Sequence, residues 1–314
     1  MEALKTHCAG VDVHKEILAI TVLVGSSEEK PTATQLECST FTDDLMACGV
    51  KLKDMGVTDV AMESTGIYWK PVFNVWDSLG LKVTVGNAAH IKNVPGRKTD
   101  MNDSRWIAEL HRFGLIRPSF IPDGEFQRMR LLSRHRTNLV DDLARVRNRV
   151  QKVLEDGNIK LGSVVSDVFG VAGLAILAEI AKGYTNPDVL TASVTTKIKR
   201  MEDVRKAMTN CLTKEHCYVI QELMDQFHYL KVRIDGVERE LFQRVQPYKH
   251  LVGKLDDIPG IDVILAMGIV AEASTDMTSF SDERKFAAWA GVAAGSNESA
   301  GKKKELAPAS ETRT

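Results

Sequence analysis

Over the first 120 residues, short β-branched runs alternate with stretches of helical spacing. Ala9 to Val24 (AGVDVHKEILAITVLV) is apolar apart from a polar interruption at His14–Glu16, the pattern of a hairpin. Thr40 to Met55 has the spacing of a short amphipathic helix, and Thr58 to Met62 reads as a brief buried strand. Gly66 to Leu79 is again helical, Leu81 to Val85 is strand-like, and Lys98 to Phe113 reads as a helix closed by Gly114. Strands alternating with helices predict an α/β domain over residues 1–120, built on a largely parallel sheet.

From Glu125 the period changes. Leu132, Leu139, Val146 and Val153 lie seven apart, Leu143 and Val150 fill the seam between them, and Arg136 is its one polar member. A second row follows with Ile220, Phe227, Ile234 and Leu241, flanked by Leu223, Leu230 and Val237. Two heptad helices are therefore expected in a coiled-coil helical segment spanning 121–250, pairing within one chain or between two. Gly157 to Glu215 between them reads as short helices joined by polar turns. Residues 251–314 are expected to form a small helical domain, with short helices flanking Pro259–Gly260 and another from about Asp282 to Trp289. The predicted class is α/β plus all-α.

An apolar share of 44% and a charged share of 26% are ordinary for a globular chain and exclude disorder or a fibre as the main state. The five cysteines form no CxxC pair, which fits free thiols in a reducing compartment and argues against a zinc cage. No apolar run approaches about 18 residues and the first residues lack the blocks of a signal peptide, so a soluble cytoplasmic protein with no membrane partner is expected.

Net charge is -1, but Gly86 to Val153 holds fourteen Lys or Arg against seven Asp or Glu, a local surplus of +7. Arg128, Arg130, Arg134, Arg136, Arg145, Arg147 and Arg149 cluster on the first heptad helix. Their i, i+2 spacing spreads guanidinium groups over more than one face, which suits contact with a phosphate backbone. A solvated helix exterior, with acids at Asp141 and Asp142, reads equally well. Aromatic residues make up only 6% of the chain, so no stacking platform for single strands is expected.

Four acids stand out in the first domain. Asp12 lies in GVDVHKE on the first strand, Glu63 ends the strand TDVAMES, and Asp100 and Asp103 lie three apart at the start of a helix. Such positions can converge at one edge of an α/β sheet, where the carboxylates repel unless hard divalent cations neutralise them. Mg²⁺ takes an all-oxygen site and leaves room for phosphate and water; a pair of such ions clamps both oxygens of a phosphoryl transfer. Turn-capping for Asp12 and helix-start electrostatics for Asp100 and Asp103 are the plainer alternatives.

The phrases GVDVHKE, AMESTGIYWKPV, KTDMNDSRWIAELHRFGLIRPSFIP, NRVQKVLEDGNIKLGSVVSDVFGVAG and FAAWAGVAAGSNESAGK resemble the DEDD transposases of insertion-sequence family 110, its 1111 subgroup above all. The resemblance runs from about residue 8 to residue 304 and dissolves after Lys304, as though truncated or frameshifted. It implies a RuvC-like, RNase H-type N-terminal domain whose tetrad is Asp12, Glu63, Asp100 and Asp103, binding Mg²⁺. Ser104 stands where the family usually has Ala, a departure expected to matter little. The resemblance also selects Ser299, in NESAGK, as a nucleophile on DNA; without it Ser296 is as good a choice, and either could be a turn residue. It implies that element ends and target DNA are bound together with a structured bridge RNA as guide, the arginines holding nucleic acid; because such a reaction joins several DNA ends, a homo-oligomer is expected, with the heptad helices as its interface. IPGID (residues 258–262) resembles the hairpin of a helix-hairpin-helix element, with Asp262 where a second Gly is common; a plain helix start fits as well. A RuvC-like endonuclease using water, or a non-catalytic nucleic-acid-binding remnant, are the other classes these residues allow.

Overall fold

The computed structural model describes residues 3–64, 66–94, 103–194, 201–292, 298–299 and 302–303. The described residues fall into two compact units, one of residues 1–121 with 280–314 and one of residues 122–279. Residues 251–279 group with the middle helices, and Phe280 onward groups with the N-terminal unit.

The first unit opens with strands β1 (His7–Val13), β2 (Ile17–Val24) and β3 (Thr32–Ser39), followed by helix α1 (Thr42–Asp54), β4 (Asp59–Glu63), α2 (Trp69–Ser78), β5 (Lys82–Gly86) and the short α3 (Ala88–Lys92). Helix α4 (Asp103–Arg112) completes its N-terminal part. The five strands form one mixed sheet in the order β3-β2-β1-β4-β5. The first three make an antiparallel meander, while β1, β4 and β5 run parallel. This is the RNase H-type arrangement. Strand β3 escapes the sequence pattern because Thr32, Ala33, Thr34 and Gln35 are all exposed on an edge that pairs only with β2.

Alternation along the strands sorts the two faces. Ala9, Val11, Leu18, Ile20, Val60 and Met62 pack with α1 and α2 around the fully buried Trp76, whose indole Nε1 donates to the Leu45 carbonyl at 2.9 Å. The opposite face carries Cys8, Gly10 and Ala61 and is covered by α4 through Trp106, Ile107, Ala108 and Leu110. Gly10 is where α4 meets the sheet. A Cβ there would stand 2.1 Å from the Ala108 backbone nitrogen and 2.3 Å from the Ser104 carbonyl oxygen, so backbone rests directly on backbone. Ser104 is buried beside this contact, and its Oγ lies 2.8 Å from the Oγ1 of buried Thr21 on β2. The hydroxyl expected to matter little is thus half of a polar pin between helix and sheet.

The second unit is helical: α5 (Gly124–Asp156), α6 (Val171–Ala181), α7 (Pro187–Ala192), α8 (Met201–Ala207), α9 (Lys214–Val245), α10 (Lys249–Asp256) and α11 (Val263–Ala273). The two heptad helices are α5 and α9, and they pair within one chain. Val146, Val150 and Leu154 near the end of α5 pack with Ile220, Leu223 and Phe227 near the start of α9. Phe126 and Met129 near the start of α5 pack with Leu241 and Val245 near the end of α9, so the pair is antiparallel. Asp123 caps α5, and Thr213 with His216 forms a capping box at the start of α9.

Helix α12 (Glu283–Trp289) returns to the first unit. Phe280 and Trp289 place their rings 5.0 and 5.5 Å from that of Phe120, and Phe286 stacks on Trp289 at 5.6 Å. Beyond it, Glu298–Ser299 (β6) pairs antiparallel with Lys302–Lys303 (β7), setting Ser299 opposite Lys302 along the backbone.

Two outcomes follow from α4. Gly10→Ala has no relaxed solution short of lifting the helix off β1, so it should cost stability at the upper end of the about 1–3 kcal/mol typical of overpacking, read as a lower midpoint in thermal unfolding. His111, near the C-terminal end of α4, is 3% exposed, and its Nε2 has no hydrogen-bond partner among the described residues. Burial, reinforced by the nearby Lys5 charge, pushes its pKa from 6.5 down to about 4, Asp59 opposing. The unfolded chain then takes up a proton that the folded chain refuses. The stability from a neutral His111 is complete above pH 6.5 and is lost as pH falls toward 4, by on the order of 3 kcal/mol. Urea unfolding at pH 7 and pH 4.5 should show a smaller loss for His111→Leu than for the native chain.

Candidate active site

Three of the four expected acids lie among the described residues, and the fold brings them to one edge. Asp12 follows Cys8 and Gly10 on the α4 side of β1, and Glu63 follows Ala61 on the same side of β4. The parallel register sets Val11 beside Met62, so Asp12, one residue short of the end of β1, and Glu63, the last of β4, come next on adjacent strands. Asp103 is the first residue of α4, one position before the Ser104–Thr21 pin. Asp100 lies outside the described residues.

The electrostatics agree with this convergence. The Asp12 carboxyl is pushed above its ordinary range by burial first, with His14 pulling it back and the charges of Asp103 and Glu63 raising it further. Two basic side chains face the acids. His14 Nε2 lies 3.2 Å from Asp12 Oδ2, and Lys92 Nζ on α3 lies 3.8 Å from Glu63 Oε1. Both basic side chains are more than half exposed, at 60% and 58%, whereas the acids they face are 25% and 20% exposed. His14 is in plain view in GVDVHKE, two residues from Asp12; Lys92 carries no local signal.

Among the described residues, no group of three or more His, Cys, Asp or Glu side chains is gathered tightly enough to hold a metal ion as it stands. The carboxylate oxygens of the three acids are nevertheless donors of the kind a hard divalent cation takes, and the charges of Asp103 and Glu63 add to the burial that raises Asp12. Asp12, Glu63 and Asp103 are the residues that would hold it.

The seven arginines of α5 divide by what they touch. Arg130 is largely buried, and its pKa is lowered by that burial. It donates to the Glu272 backbone carbonyl at 2.5 Å and pairs with the Glu272 carboxylate at 2.9 Å. Arg134 grips both oxygens of that carboxylate, at 2.8 and 3.1 Å. Arg136, the polar member of the heptad row, meets Glu238 of α9 at 2.7 Å. These three fasten α11 and α9 to α5. Arg147 pairs with Asp167 at 2.9 Å and stacks over Phe169, 4.9 Å from its ring centre. Arg128 and Arg145 bond to Glu125 and Asp142 on their own helix, and Arg149 donates to Gln226 Oε1 at 3.2 Å. In IPGID, Asp262 accepts from the Leu265 backbone N–H at 2.7 Å and caps α11. The side chain of Ser299 lies outside the described residues.

The acids thus lie toward the ends of adjacent parallel strands and at the head of the helix that crosses the sheet. Two family models match this chain: a DEDD-type IS110 transposase over residues 9–159, which spans Asp12, Glu63 and Asp103, and the transposase IS116/IS110/IS902 family over residues 253–311, which spans Ser299. Together they cover two thirds of the sequence, and the second continues past Lys304, where the likeness is expected to dissolve. The chain belongs to the IS110 family of transposases. Among solved structures, Thermus thermophilus RuvC is 15% identical over 36% of this chain and 99% of RuvC, with a TM-score of 0.28. The same protein in complex with a Holliday junction substrate gives 14% identity over 37% of this chain and 100% of that one, again with a TM-score of 0.28. No curated protein sequence matches the chain. No described helix is long and apolar enough to cross a membrane.

The burial of Asp12 close to two other acids has a measurable consequence. In EDTA at neutral pH, Asp12→Asn should melt at a higher temperature than the native chain, because it removes a charge that the folded state disfavours. Added Mg²⁺ should raise the melting temperature of the native chain and leave that of the variant nearly unmoved.

Proposed function

We propose that this chain cuts and rejoins DNA at a divalent-metal carboxylate site, as the transposase of an insertion sequence. The observation that carries the reading is the convergence of Asp12, Glu63 and Asp103 from two adjacent strands and a helix start, where the charges of Asp103 and Glu63 add to the burial that raises Asp12. Asp100 would complete the tetrad. Bound Mg²⁺ supplies Lewis-acid stabilisation of charge on a transferring phosphoryl group. The chain's part is to hold the carboxylates in place, which falls to the Gly10 contact and the Thr21–Ser104 pin, and to present a nucleophile.

That nucleophile is Ser299, a reading supported by family membership and by the match over residues 253–311. Its hydroxyl oxygen would form an ester bond to a DNA phosphorus as one P–O bond of the backbone breaks, the serine proton ending on the released DNA hydroxyl. The phosphoserine ester keeps the bond energy for rejoining. Element ends and target DNA are the substrates, a structured guide RNA supplies sequence choice through base pairing, and the working form is a homo-oligomer. The same family resemblance supports these readings. A water-using endonuclease with the same carboxylates is the second reading.

The test is a denaturing-gel assay for a covalent protein–DNA adduct with the element's end DNA, its flanking noncoding RNA and Mg²⁺. An adduct is expected from the native chain, absent with Ser299→Ala and reduced at least about a hundredfold with Asp12→Ala. Cleavage that persists in Ser299→Ala without an adduct would move the assignment to the water-using endonuclease. Absence of both adduct and cleavage in the native chain would reduce it to a nucleic-acid-binding remnant.

A further inference from the structure

A groove of about 720 Å³ runs between α5 and α9. Val146 and Leu230 give it an apolar floor, while Arg145, Arg149 and Lys152 of α5 stand along it with Asp142 as the one acid in its lining. That is a local surplus of two positive charges (three cations less one anion) on a chain whose total is -1. Asn148 and Gln226 add two amides, and Arg149 reaches across to the Gln226 Oε1 at 3.2 Å. Tyr229 of α9 lines the same groove yet remains 63% exposed.

An aromatic ring left open to water amid cations and amides offers a particular set of contacts. The ring presents a face on which a flat, π-rich group can stack, the cations suit phosphates one nucleotide to either side, and amides carry both donors and acceptors for a base edge. We infer that this groove binds an unpaired stretch of nucleic acid, with one base stacked on Tyr229 and the flanking phosphates on Arg145, Arg149 and Lys152. A duplex does not fit this chemistry, since its bases are already stacked on one another and present no free face. Scarce aromatics leave no broad stacking platform, but one base needs only one ring. The proposal rests on the chain handling nucleic acid and is independent of the carboxylate chemistry.

The test is fluorescence anisotropy of the full chain with a labelled 12-nucleotide RNA, the DNA of the same sequence and its blunt duplex, all in EDTA at several salt concentrations. EDTA keeps the metal site out of the measurement, so a failure here and a failure of the adduct assay are separate results. A single strand should bind more tightly than the duplex, and the RNA and DNA arms identify which sugar the groove prefers. Tyr229→Ala should weaken single-strand binding about 5- to 100-fold, in line with stacking of about 1–3 kcal/mol per base, while Tyr229→Phe stays within about twofold. Arg149→Gln combined with Lys152→Gln should flatten the salt dependence by about 1.4 in slope, about 0.7 for each phosphate no longer neutralised. Unchanged binding by Tyr229→Ala, with its helical circular dichroism and melting intact, overturns the proposal. So does equal weakening of single strand and duplex. A fall in native mass by light scattering on Tyr229→Ala, without loss of binding, would assign the ring to a second copy of this chain and overturn it too.

Discussion

The backbone contact between α4 and β1 at Gly10 sets the geometry of the sheet edge that carries Asp12. A side chain of any size at residue 10 would hold the helix away from the strand. With none, the Ser104 carbonyl rests against the strand, the Ser104 hydroxyl reaches Thr21, and Asp103 arrives one residue earlier, within electrostatic reach of Asp12. The position of an acid is thereby fixed by an absence of atoms two residues from its partner along β1. Burial enforces the contact: Ile107, Ala108 and Leu110 of α4 are nearly inaccessible, and the helix cannot slide without exposing them.

Much of the α/β unit is legible in the sequence because its signals are local. The hairpin, both parallel strands and the helices between them announce themselves by period, and Asp12 and Glu63 stand where those strands end. Strand β3 does not, since an edge strand with exposed Thr, Ala and Gln carries no alternation to read. The role of Ser104 is also out of reach: its partner Thr21 is 83 residues away, and only the fold shows that both hydroxyls are buried. Asp100 and the side chain of Ser299, whose assignments lean most on family resemblance, lie outside the described residues.

The helical unit shows the same division. Heptad rows identify α5 and α9, but the choice between pairing inside one chain and between two depends on Phe126 and Met129 meeting Leu241 and Val245. The arginines mislead as a set. Counted along the sequence they form one basic cluster, yet Arg130, Arg134 and Arg136 have acid partners 102 or more residues distant, at Glu238 and Glu272. A guanidinium that holds α11 in place is a structural tie before it is a phosphate contact. Charge counted along a sequence is not the charge that a surface offers.

The chain leaves the α/β unit after residue 121 and re-enters it at Phe280, whose ring lies 5.0 Å from that of Phe120. Its excursion folds so that its own beginning and end also meet, Arg130 and Arg134 gripping Glu272. For a flexible loop of this length, bringing the ends together would cost on the order of 4 kcal/mol in chain entropy. Here that entropy is spent when the helices assemble. The helical unit therefore acts as a tether of fixed span, and it raises the effective concentration of residues 280–292 at the aromatic seat around Phe120. Thermal or chemical loosening of the Arg–Glu272 clasp would lower that concentration while leaving every interaction within the sheet in place.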